Sequence, residues 1–254
     1  MNPTLEFQRY ECKYVLPELT ALEVQRYAMA WLVPDEHAAR RPDHTYSIAS
    51  LYLDSASLRL HHETQGGQRS RYKLRIRTYG DDADDPVFFE IKRRHNAVIT
   101  KSRTMLSRAQ MADFFAGRFD CDALNERDRR CIAEFRGHVL ELDARPIVIV
   151  RYQRQAYMGA FEPGVRVTFD RAIHCARSDV PVVRHGGDGW LPVEDRSVVL
   201  ELKFRGTMPG WMQELVRRFE LRRTSYSKYS HSVLTAGCAS DPVIVPNDAA
   251  WATS

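Results

Sequence analysis

Long hydrophobic runs are missing from this sequence of 254 residues. Its apolar runs, such as Ile147 to Val150, are far shorter than the roughly 18 residues needed to cross a bilayer. The first residues, MNPTLEFQRYECK, are polar and charged, and they lack the apolar core of a signal peptide. We therefore expect no direct insertion into a membrane.

Paired cysteines are also missing. The five cysteines are odd in number and widely spaced, and no CxxC occurs among Cys12, Cys121, Cys131, Cys175 and Cys238. This pattern argues against a disulfide scaffold and against a zinc site. It is typical of reduced thiols, and we expect a cytoplasmic protein.

The common motifs of nucleotide and hydrolytic enzymes are absent. The sequence contains no GxxxxGK[ST], no GxGxxG after a strand, no HExxH and no GxSxG. These absences exclude a P-loop, a dinucleotide-binding fingerprint, a zinc protease helix and a nucleophile elbow. Hydrophobic residues make up 44% of the chain and aromatic residues 10%, so a folded core is possible and global disorder is excluded.

Lysine is rare although the chain is slightly basic. The formal charge is +4, and only six of the 37 basic residues are lysines: Lys13, Lys73, Lys92, Lys101, Lys203 and Lys228. An ammonium group is compact and rotatable, whereas a guanidinium is a planar fork. The six lysines are therefore candidates for positions where the smaller cation is needed.

Alternating apolar and polar residues predict a β-rich α+β fold. Eight strands are predicted at Phe7 to Val15, Tyr46 to Leu53, Arg69 to Tyr79, Val87 to Lys92, Val98 to Leu106, Ile147 to Tyr157, Val165 to Asp170 and Val198 to Phe204. Helices are predicted at Pro17 to Leu32, Ser107 to Ala116, Leu124 to Leu142, Pro209 to Leu221 and Ser225 to Leu234. We expect one domain over residues 1–236, followed by a poorly ordered tail over 237–254.

Charged side chains share one face of these strands, because residues i and i+2 of a strand point the same way, about 6.6–7 Å apart. Arg71 and Lys73 alternate with Tyr72 and Leu74 in this manner. The same reasoning assigns twelve cations to one face: Arg9, Lys13, Arg71, Lys73, Arg75, Arg77, Lys92, Lys101, Arg103, Arg154, Arg166 and Lys203. A solvent-exposed sheet face is the simpler explanation of any single row.

The opposite, apolar faces must be covered, and the predicted helices can cover them from outside. The charged faces would then face one another, and eight antiparallel strands can close into a barrel with a basic polar bore. Two like charges about 7 Å apart repel by roughly 2 kcal/mol at an effective dielectric constant near 20. We therefore expect the bore to be wet and to receive a polyanion.

Three strands carry the pattern Glu-x-Lys: Glu11 with Lys13, Glu90 with Lys92, and Glu201 with Lys203. Ion pairing across the bore explains such pairs most simply, and we expect it to account for at least one of them. The functional alternative is that a glutamate binds a divalent metal while the lysine binds the same phosphate chain. Carboxylate and phosphate oxygens suit Mn²⁺ or Mg²⁺ better than Zn²⁺.

An open sheet with one basic face is the alternative to a barrel, and it would bind nucleic acid or an acidic surface. Stacking of bases requires aromatic residues among the cations. We place Tyr72 and Tyr79 on the face opposite the basic row, and we therefore expect no nucleic-acid partner.

Several stretches resemble the VTC domain, the polyphosphate polymerase module of the vacuolar transporter chaperone complex. They run in family order over residues 9–230: RYECKY, YSIASLYLD, RYKLRIRTY, FFEIKRRHNAVITKSR, YQRQAY, VRVTFD, VLELKF and SYSKYS. The VTC domain is one of the triphosphate tunnel metalloenzymes, so the resemblance implies an eight-stranded antiparallel barrel with a basic bore.

The resemblance also implies an enzyme that transfers the γ-phosphate of ATP to a growing inorganic polyphosphate chain with Mn²⁺ or Mg²⁺. Position by position, it implies catalytic roles for Lys13, Arg75, Arg77, Lys92, Lys203 and Lys228, and phosphate binding by Lys101, Arg103, Arg154, Arg166 and Ser227. Arg9, Arg71 and Lys73 are further phosphate-binding candidates from their strand positions alone. Glu201 is the first choice as metal ligand, followed by Glu11 and Glu90.

One position departs from the hydrolase branch of these tunnel proteins, which begins with ExExK. Arg9 stands where that branch has its first glutamate, and the loss of a carboxylate weakens water activation. Two alternatives stay open: a metal-dependent hydrolase of triphosphate or polyphosphate, and a module that binds polyphosphate without turnover. Association with a membrane would require another protein, whose identity the sequence does not reveal.

Overall fold

A computed structural model describes residues 9–239 except 83, 97 and 195. Within these residues the chain forms ten strands in one sheet. The strands are β1 (Arg9–Pro17), β2 (Leu32–Pro34), β3 (Thr45–Asp54), β4 (Ser70–Thr78), β5 (Val87–His95), β6 (Val98–Leu106), β7 (Arg145–Gly159), β8 (Arg166–Arg177), β9 (Leu191–Glu194) and β10 (Ser197–Arg205).

Six helices accompany the sheet in the described part of the chain. They are α1 (Glu18–Ala28), α2 (Arg59–Gln65), α3 (Arg108–Phe115), α4 (Glu126–Leu142), α5 (Gly210–Arg218) and α6 (Lys228–Thr235). Local signals explain where they begin. Ser107 and Gln110 form a reciprocal capping box at α3, and the Asn125 side chain accepts from the backbone of Asp128 at α4. No helix in the described ranges is long and apolar enough to span a membrane.

All strand pairs are antiparallel, and the main path through the sheet is β1-β10-β8-β7-β3-β4-β5-β6. Its eight strands are those that the alternation predicts. The short strands β2 and β9 pair with β7 and β8 outside this path. The expectation of eight strands was therefore too low, because three or four residues are too few for alternation to reveal a strand.

The sheet curves into an open channel, and the expected closed barrel is wrong. Strands β1 and β6 are the two ends of the path, and they approach each other, but no ladder joins them in the described part of the chain. Closure requires strand tilt and stagger to match around the whole sheet. A side-chain ion pair between Lys92 on β5 and Glu11 on β1, with Nζ to Oε1 at 3.1 Å, links the two end regions of the path through the bore.

Two apolar clusters cover the convex face of the sheet, as the helical patterns predict. One packs α1 and α5 against β1, β8 and β10, with Ala21, Leu202 and Leu215 fully buried. The other packs α3 and α4 against β3, β4 and β5, where Phe89 and Phe135 have no exposed surface. These clusters hold the strands so that their charged residues face the concave side.

Helix α6 packs against the concave face. Tyr229 and Val233 are buried there among inward residues of β3, β7 and β8, including Val148 and Cys175. The Tyr229 hydroxyl donates to Asp54, which also accepts the backbone N–H groups of Leu60 and His61 in α2. Helix α6 therefore fills one side of the channel, and the first residues of α6 lie beside the remaining space.

The predicted tail begins at Gly237, and residues 240–254 lie outside the described residues. Cys238 and Ala239 are described, and both pack partly buried against the cluster under α6.

Candidate phosphate-binding site

The concave face of the sheet, called the bore below, collects the cations that the alternation assigns to one side. The register brings Lys73 of β4, Lys92 of β5 and Lys101 of β6 side by side across three strands. The next inward row is Arg75, Glu90 and Arg103. The β1 register places Arg9 opposite Arg205.

Glu90 lies at the centre of the first ion cluster and has no exposed surface. Arg75 donates to Oε2 through Nε at 2.7 Å and Nη2 at 2.6 Å, while Lys101 Nζ lies 2.5 Å and Arg103 Nε 3.5 Å from Oε1. Burial raises the pKa of Glu90, but Arg75, Arg77 and Lys101 outweigh it and hold the pKa far below its usual value. The carboxylate is therefore ionised, and it positions three of the predicted phosphate-binding residues.

Glu11 and Glu201 form the second cluster, in which both carboxylates face the Lys203 ammonium group, with Nζ 3.6 Å from Oε2 of Glu11 and 3.3 Å from Oε2 of Glu201. Three ammonium groups surround Glu11: Lys92 Nζ at 3.1 Å, Lys13 Nζ at 3.3 Å and Lys203 Nζ at 3.6 Å. Burial and the neighbouring carboxylate raise the pKa of Glu11, but Lys92 and Lys13 bring it below the usual value. For Glu201, burial is outweighed by Lys203, Lys13 and Lys92, and the pKa is well below the usual value.

Asp170 forms a third cluster that the sequence analysis missed. It lies fully buried on β8 and accepts from Arg154 Nε at 2.6 Å and Nη2 at 2.7 Å, while Lys228 Nζ lies 2.6 Å away. Burial raises the pKa of Asp170, but the two cations lower it to about 2. The carboxylate thus ties the first residue of α6 to the sheet. In the sequence, the one feature that marks Asp170 is its place as the last residue of the VRVTFD stretch.

Asp35 is a further buried carboxylate that the sequence analysis did not select. Arg166 Nη2 donates to its Oδ2 at 2.7 Å, and the Tyr46 hydroxyl donates to the same oxygen at 3.1 Å. Its backbone N–H donates to Ala156 on β7. Asp35 directly follows β2, so this short strand, which alternation could not reveal, positions the carboxylate that binds Arg166.

Lys73 and Arg77 lie in the bore without a carboxylate partner within ion-pair distance among the described residues. Lys73 Nζ donates to Ser227 Oγ at 2.7 Å, and Arg77 donates to Ser50 Oγ and the Tyr152 hydroxyl, both at 3.0 Å. Burial lowers the pKa of Lys73 most, and Lys13 and Lys92 lower it further, so that it lies well below its usual value. A bound anion would relieve this repulsion.

Burial and neighbouring cations also shift two more lysines. Burial lowers the pKa of Lys92 to about 8 although Glu11 opposes the shift. Burial lowers the pKa of Lys101 to about 7, with Arg75 adding to the effect and Glu90 opposing it. Lys13 contrasts with them, because Glu11 and Glu201 outweigh burial and raise its pKa. The excess of positive charge is therefore concentrated toward β4, β5 and β6.

A cavity of about 430 Å³ opens from the bore at the Lys73 end. We call it the basic vestibule, and its charged lining comprises Glu11, Lys13, Arg71, Lys73, Lys92, Arg94 and Arg223. Arg94 and Arg223 were not among the predicted site residues. Arg94 is two residues beyond Lys92 on β5, so the same alternation could have found it, whereas Arg223 lies in the loop before α6 and carries no sequence signal.

The expectation for Tyr79 was wrong. Tyr79 is two residues beyond Arg77 and lies on the basic face, where its ring centroid is 5.5 Å from that of Phe88 and 5.6 Å from the guanidinium carbon of Arg103. Tyr72 does lie on the convex side, where it packs against the cluster of α3 and α4. Aromatic rings therefore do accompany the cations at one end of the bore.

A model of the VTC domain matches residues 8–236 of this chain, which is almost all of the part that the structure describes. The chain belongs to the VTC domain family. The resemblance seen in the sequence motifs is thereby confirmed, and this VTC domain carries its ordered motifs on the strands and on α6 around one bore.

Solved structures that are similar to this VTC domain include three from distant sources. A candidate adenylate cyclase from Bacillus halodurans is 14% identical, with a TM-score of 0.48 over 86% of this chain and 92% of the other. A protein from Pyrococcus horikoshii is 11% identical, with a TM-score of 0.45 over 87% and 96%. A mimivirus capping enzyme triphosphatase is 10% identical, with a TM-score of 0.31 over 83% and 89%.

The carboxylates of this VTC domain allow a test of whether a divalent metal fits. In the described ranges no group of three or more His, Cys, Asp and Glu side chains could hold a metal by itself. Mg²⁺, however, is commonly bound through one or two carboxylates, with water and substrate phosphates completing its shell. Glu201 fits that mode best, because among the described residues an ammonium group lies within ion-pair distance of only one of its oxygens. Glu11 lies beside it, but cations already face both oxygens of Glu11, as they do for Glu90.

Proposed function

We propose that this VTC domain is a polyphosphate polymerase, which moves the γ-phosphate of ATP to the end of an inorganic polyphosphate chain. The observation that carries the proposal is the bore itself, where three ionised carboxylate clusters hold a larger set of lysines and arginines around one open space. Such an arrangement suits a long, flexible polyanion, since every phosphate along the chain meets a cation. Membership of the VTC domain family supports the same conclusion.

The reaction needs no covalent enzyme intermediate. A terminal oxygen of the polyphosphate chain forms a bond to the γ-phosphorus of ATP, the bond from that phosphorus to the β-phosphate oxygen breaks, and ADP leaves with the electron pair. Alignment of the two anions in line and stabilisation of the charge on the transferred group account for most of the catalysis of such transfers. In this proposal the bore residues perform both the alignment and the charge stabilisation.

We assign the tasks by the partners that each residue has. Arg75, Lys101 and Arg103 are held by Glu90, and Arg154 and Lys228 by Asp170, so these cations are fixed before the substrate binds. Among the described residues Arg77 and Lys73 hydrogen-bond to neutral groups, so no carboxylate competes with a phosphate for them. Preorganised charge of this kind costs no rearrangement during the reaction.

Glu11 and Glu201 would hold Mn²⁺ or Mg²⁺ together with oxygens of the substrate. When bound, the divalent cation supplies positive charge that neutralises the β- and γ-phosphates during transfer. Lys13, Lys92 and Lys203 surround these carboxylates and keep them ionised at neutral pH. We propose that Arg9, Arg71, Arg166 and Ser227 contribute further contacts to the phosphate chain.

Supplying γ-labelled ATP with Mn²⁺ tests the proposal. The expected product is a ladder of long labelled polymers. Treatment with an ATPase should leave these polymers intact, whereas treatment with a polyphosphatase should degrade them. Release of orthophosphate alone would replace the polymerase by a hydrolase. Tight, salt-sensitive binding of polyphosphate with no nucleotide consumed under any divalent metal would replace it by a binding module.

A further inference from the structure

A cluster of aromatic rings lies at the end of the bore opposite the basic vestibule. We call it the aromatic vestibule, and it consists of His37, Tyr46, Tyr79 and Phe88 around a cavity of about 520 Å³. The inward residues of β5 give the direction: Arg94 and Lys92 line the basic vestibule, Glu90 lies in the middle and Phe88 lines the aromatic vestibule. Three steps of two residues along a strand cover about 20 Å.

The rings contact one another in a connected cluster that starts at the protein surface, with one stacked pair, one tilted pair and one edge-to-face pair. The His37 ring lies on Tyr79 with centroids 5.0 Å apart and planes at 6°, and Tyr79 meets Tyr46 at 6.1 Å and Phe88 at 5.5 Å. His37 is exposed, whereas Tyr79 and Phe88 are half-buried. A stack that only stabilised the fold would be covered by other residues, but here ring surface faces an open cavity.

Arg103 connects this stack to the phosphate-binding part of the bore. Its guanidinium carbon lies 3.6 Å from the centroid of the Phe88 ring, while its Nε lies 3.5 Å from Oε1 of Glu90. On the opposite wall, Tyr46 donates to Asp35, which holds Arg166. A ligand with a flat aromatic part and a chain of phosphates could therefore contact rings and cations at the same time.

Arg40 and Arg41 line the same cavity and are exposed. They place positive charge at the outer rim, beyond the rings. The basic vestibule also contains tyrosines, but in the described residues they form no comparable stack: Tyr10 stacks on Phe204 of the convex cluster, and Tyr226 stacks on His231. The two openings thus differ in chemistry, and only the aromatic vestibule offers a set of rings leading into the bore.

We propose that the aromatic vestibule binds the base of the nucleoside triphosphate, with the triphosphate pointing into the bore. Base stacking on aromatic side chains accepts any base, because every base has a π-face. The identity of the ligand rests on the proposed function. The inference adds the direction in which the substrates lie in the bore: the nucleotide enters at the aromatic vestibule, and the polyphosphate chain extends through the basic vestibule.

The test compares two ligands that differ in the nucleoside. Dissociation constants for ATP and for inorganic tripolyphosphate are measured by titration calorimetry with Mg²⁺ for the wild type, His37→Ala and Tyr79→Leu. His62→Ala is the matched control, because His62 is also an exposed histidine but lies on α2, away from the aromatic vestibule. We expect each aromatic variant to bind ATP about tenfold more weakly, which is within the effect of one stacking ring, and to bind tripolyphosphate as the wild type does.

Three results would overturn the assignment: equal weakening of both ligands, unchanged ATP binding in both variants, or a wild type that binds tripolyphosphate but not ATP. The outcome is independent of turnover. If the variants bind ATP more weakly but tripolyphosphate normally, and the wild type makes no polymer, the base site is supported and the polymerase proposal fails. If polymer forms and the variants bind ATP normally, the polymerase stands and the base site fails.

Discussion

The carboxylate of Glu11 faces Lys203, the lysine of the Glu201 segment, across β1 and β10, so that Glu11 and Glu201 share one ammonium group at 3.6 and 3.3 Å. Two ionised carboxylates this close together repel, and a divalent cation between them would remove that repulsion. We expect Glu201→Gln to lower the metal-dependent rate by about 100-fold or more, since a lost metal contact is worth several kcal/mol. Initial rates over a Mn²⁺ titration measure this effect.

Glu214→Gln is the control for that substitution, because Glu214 lies on the exposed side of α5 and forms an ion pair with Arg217. It should leave the rate unchanged. Circular dichroism should show that Glu201→Gln keeps the fold, since a residue facing a wet bore contributes little packing. Equal rates for wild type and Glu201→Gln would remove Glu201 from the metal site.

Phosphate binding should weaken as the pH rises from 7 to 8.5. The pKa of Lys101 is about 7 and that of Lys92 about 8 in the free protein, so both lose their charge in this range. A bound anion favours the ammonium form and raises both pKa values, and binding must therefore take up protons. Calorimetric titration of long-chain polyphosphate at pH 8, in two buffers with different ionisation enthalpies, measures the uptake.

Lys101→Arg should reduce that proton uptake, because a guanidinium stays charged throughout this pH range. The affinity of this variant should also depend less on pH. A wild type that binds polyphosphate without proton uptake, and with constant affinity between pH 7 and 8.5, would contradict the low pKa values of these two lysines.

Arg223→Ala should shorten the polymer that the proposed polymerase activity yields. Arg223 lines the basic vestibule, where we place the chain that leaves the bore. We expect the affinity for long-chain polyphosphate to fall about two- to fivefold, as for one lost phosphate contact in partly exposed surroundings, while ATP binding stays the same. Gel analysis of product length and a binding titration at two salt concentrations give the measurement.

Arg222→Ala provides a matched control, since Arg222 is the neighbouring exposed arginine but does not line the basic vestibule. Both variants lose one positive charge. If they behave alike, the effect comes from net charge and the basic vestibule has no specific role.

Lys73→Met should stabilise the protein and weaken polyanion binding. The pKa of Lys73 is well below its usual value in the folded protein, so the charge opposes folding at neutral pH. We expect the melting temperature to rise by about 2–4 °C, the shift that roughly 1 kcal/mol produces in a protein of this size. The gain should shrink as the pH approaches the ordinary pKa of lysine, because the unfolded chain then also holds fewer protons.

Lys228→Met should have the opposite effect, because it removes one of the two cations that face the buried Asp170. Its melting temperature should fall. The melting temperatures of both variants without ligand distinguish the two roles. Removing a cation that serves binding should raise the melting temperature, and removing one that stabilises the fold should lower it. A lower melting temperature for Lys73→Met would show that its bond to Ser227 outweighs the cost of its burial.

The side of the sheet on which each charge lies could be predicted from the sequence. A shift of one residue would place Leu74 and Ile76 in the wet bore and Lys73 and Arg75 in the core, so the alternation is strongly specified. The buried partners of these cations could not be predicted. Asp170 meets Lys228 only because α6 folds over the concave face, and Asp35 meets Arg166 through the short strand β2.

The open edge between β1 and β6 was equally beyond sequence analysis. Alternation tells which face a residue occupies, but closure depends on the tilt and stagger of every strand together. The motifs of the VTC domain family likewise indicated the lysines and glutamates and left Arg94 and Arg223 unmarked. The sequence therefore indicated charged residues that the sheet gathers in the bore, and it left the residues at the openings unmarked.

The pairing of β1 with β10 has a consequence for how this protein is made. Ribosomes add about 5–20 residues per second, so β1 waits on the order of ten seconds or more before Arg205, its last partner residue, has been synthesised. During that time the basic row of β4 and the chain around it have no Glu201 and no α6 beside them. The cations of β4 are therefore exposed to any anion in the cell before the bore exists.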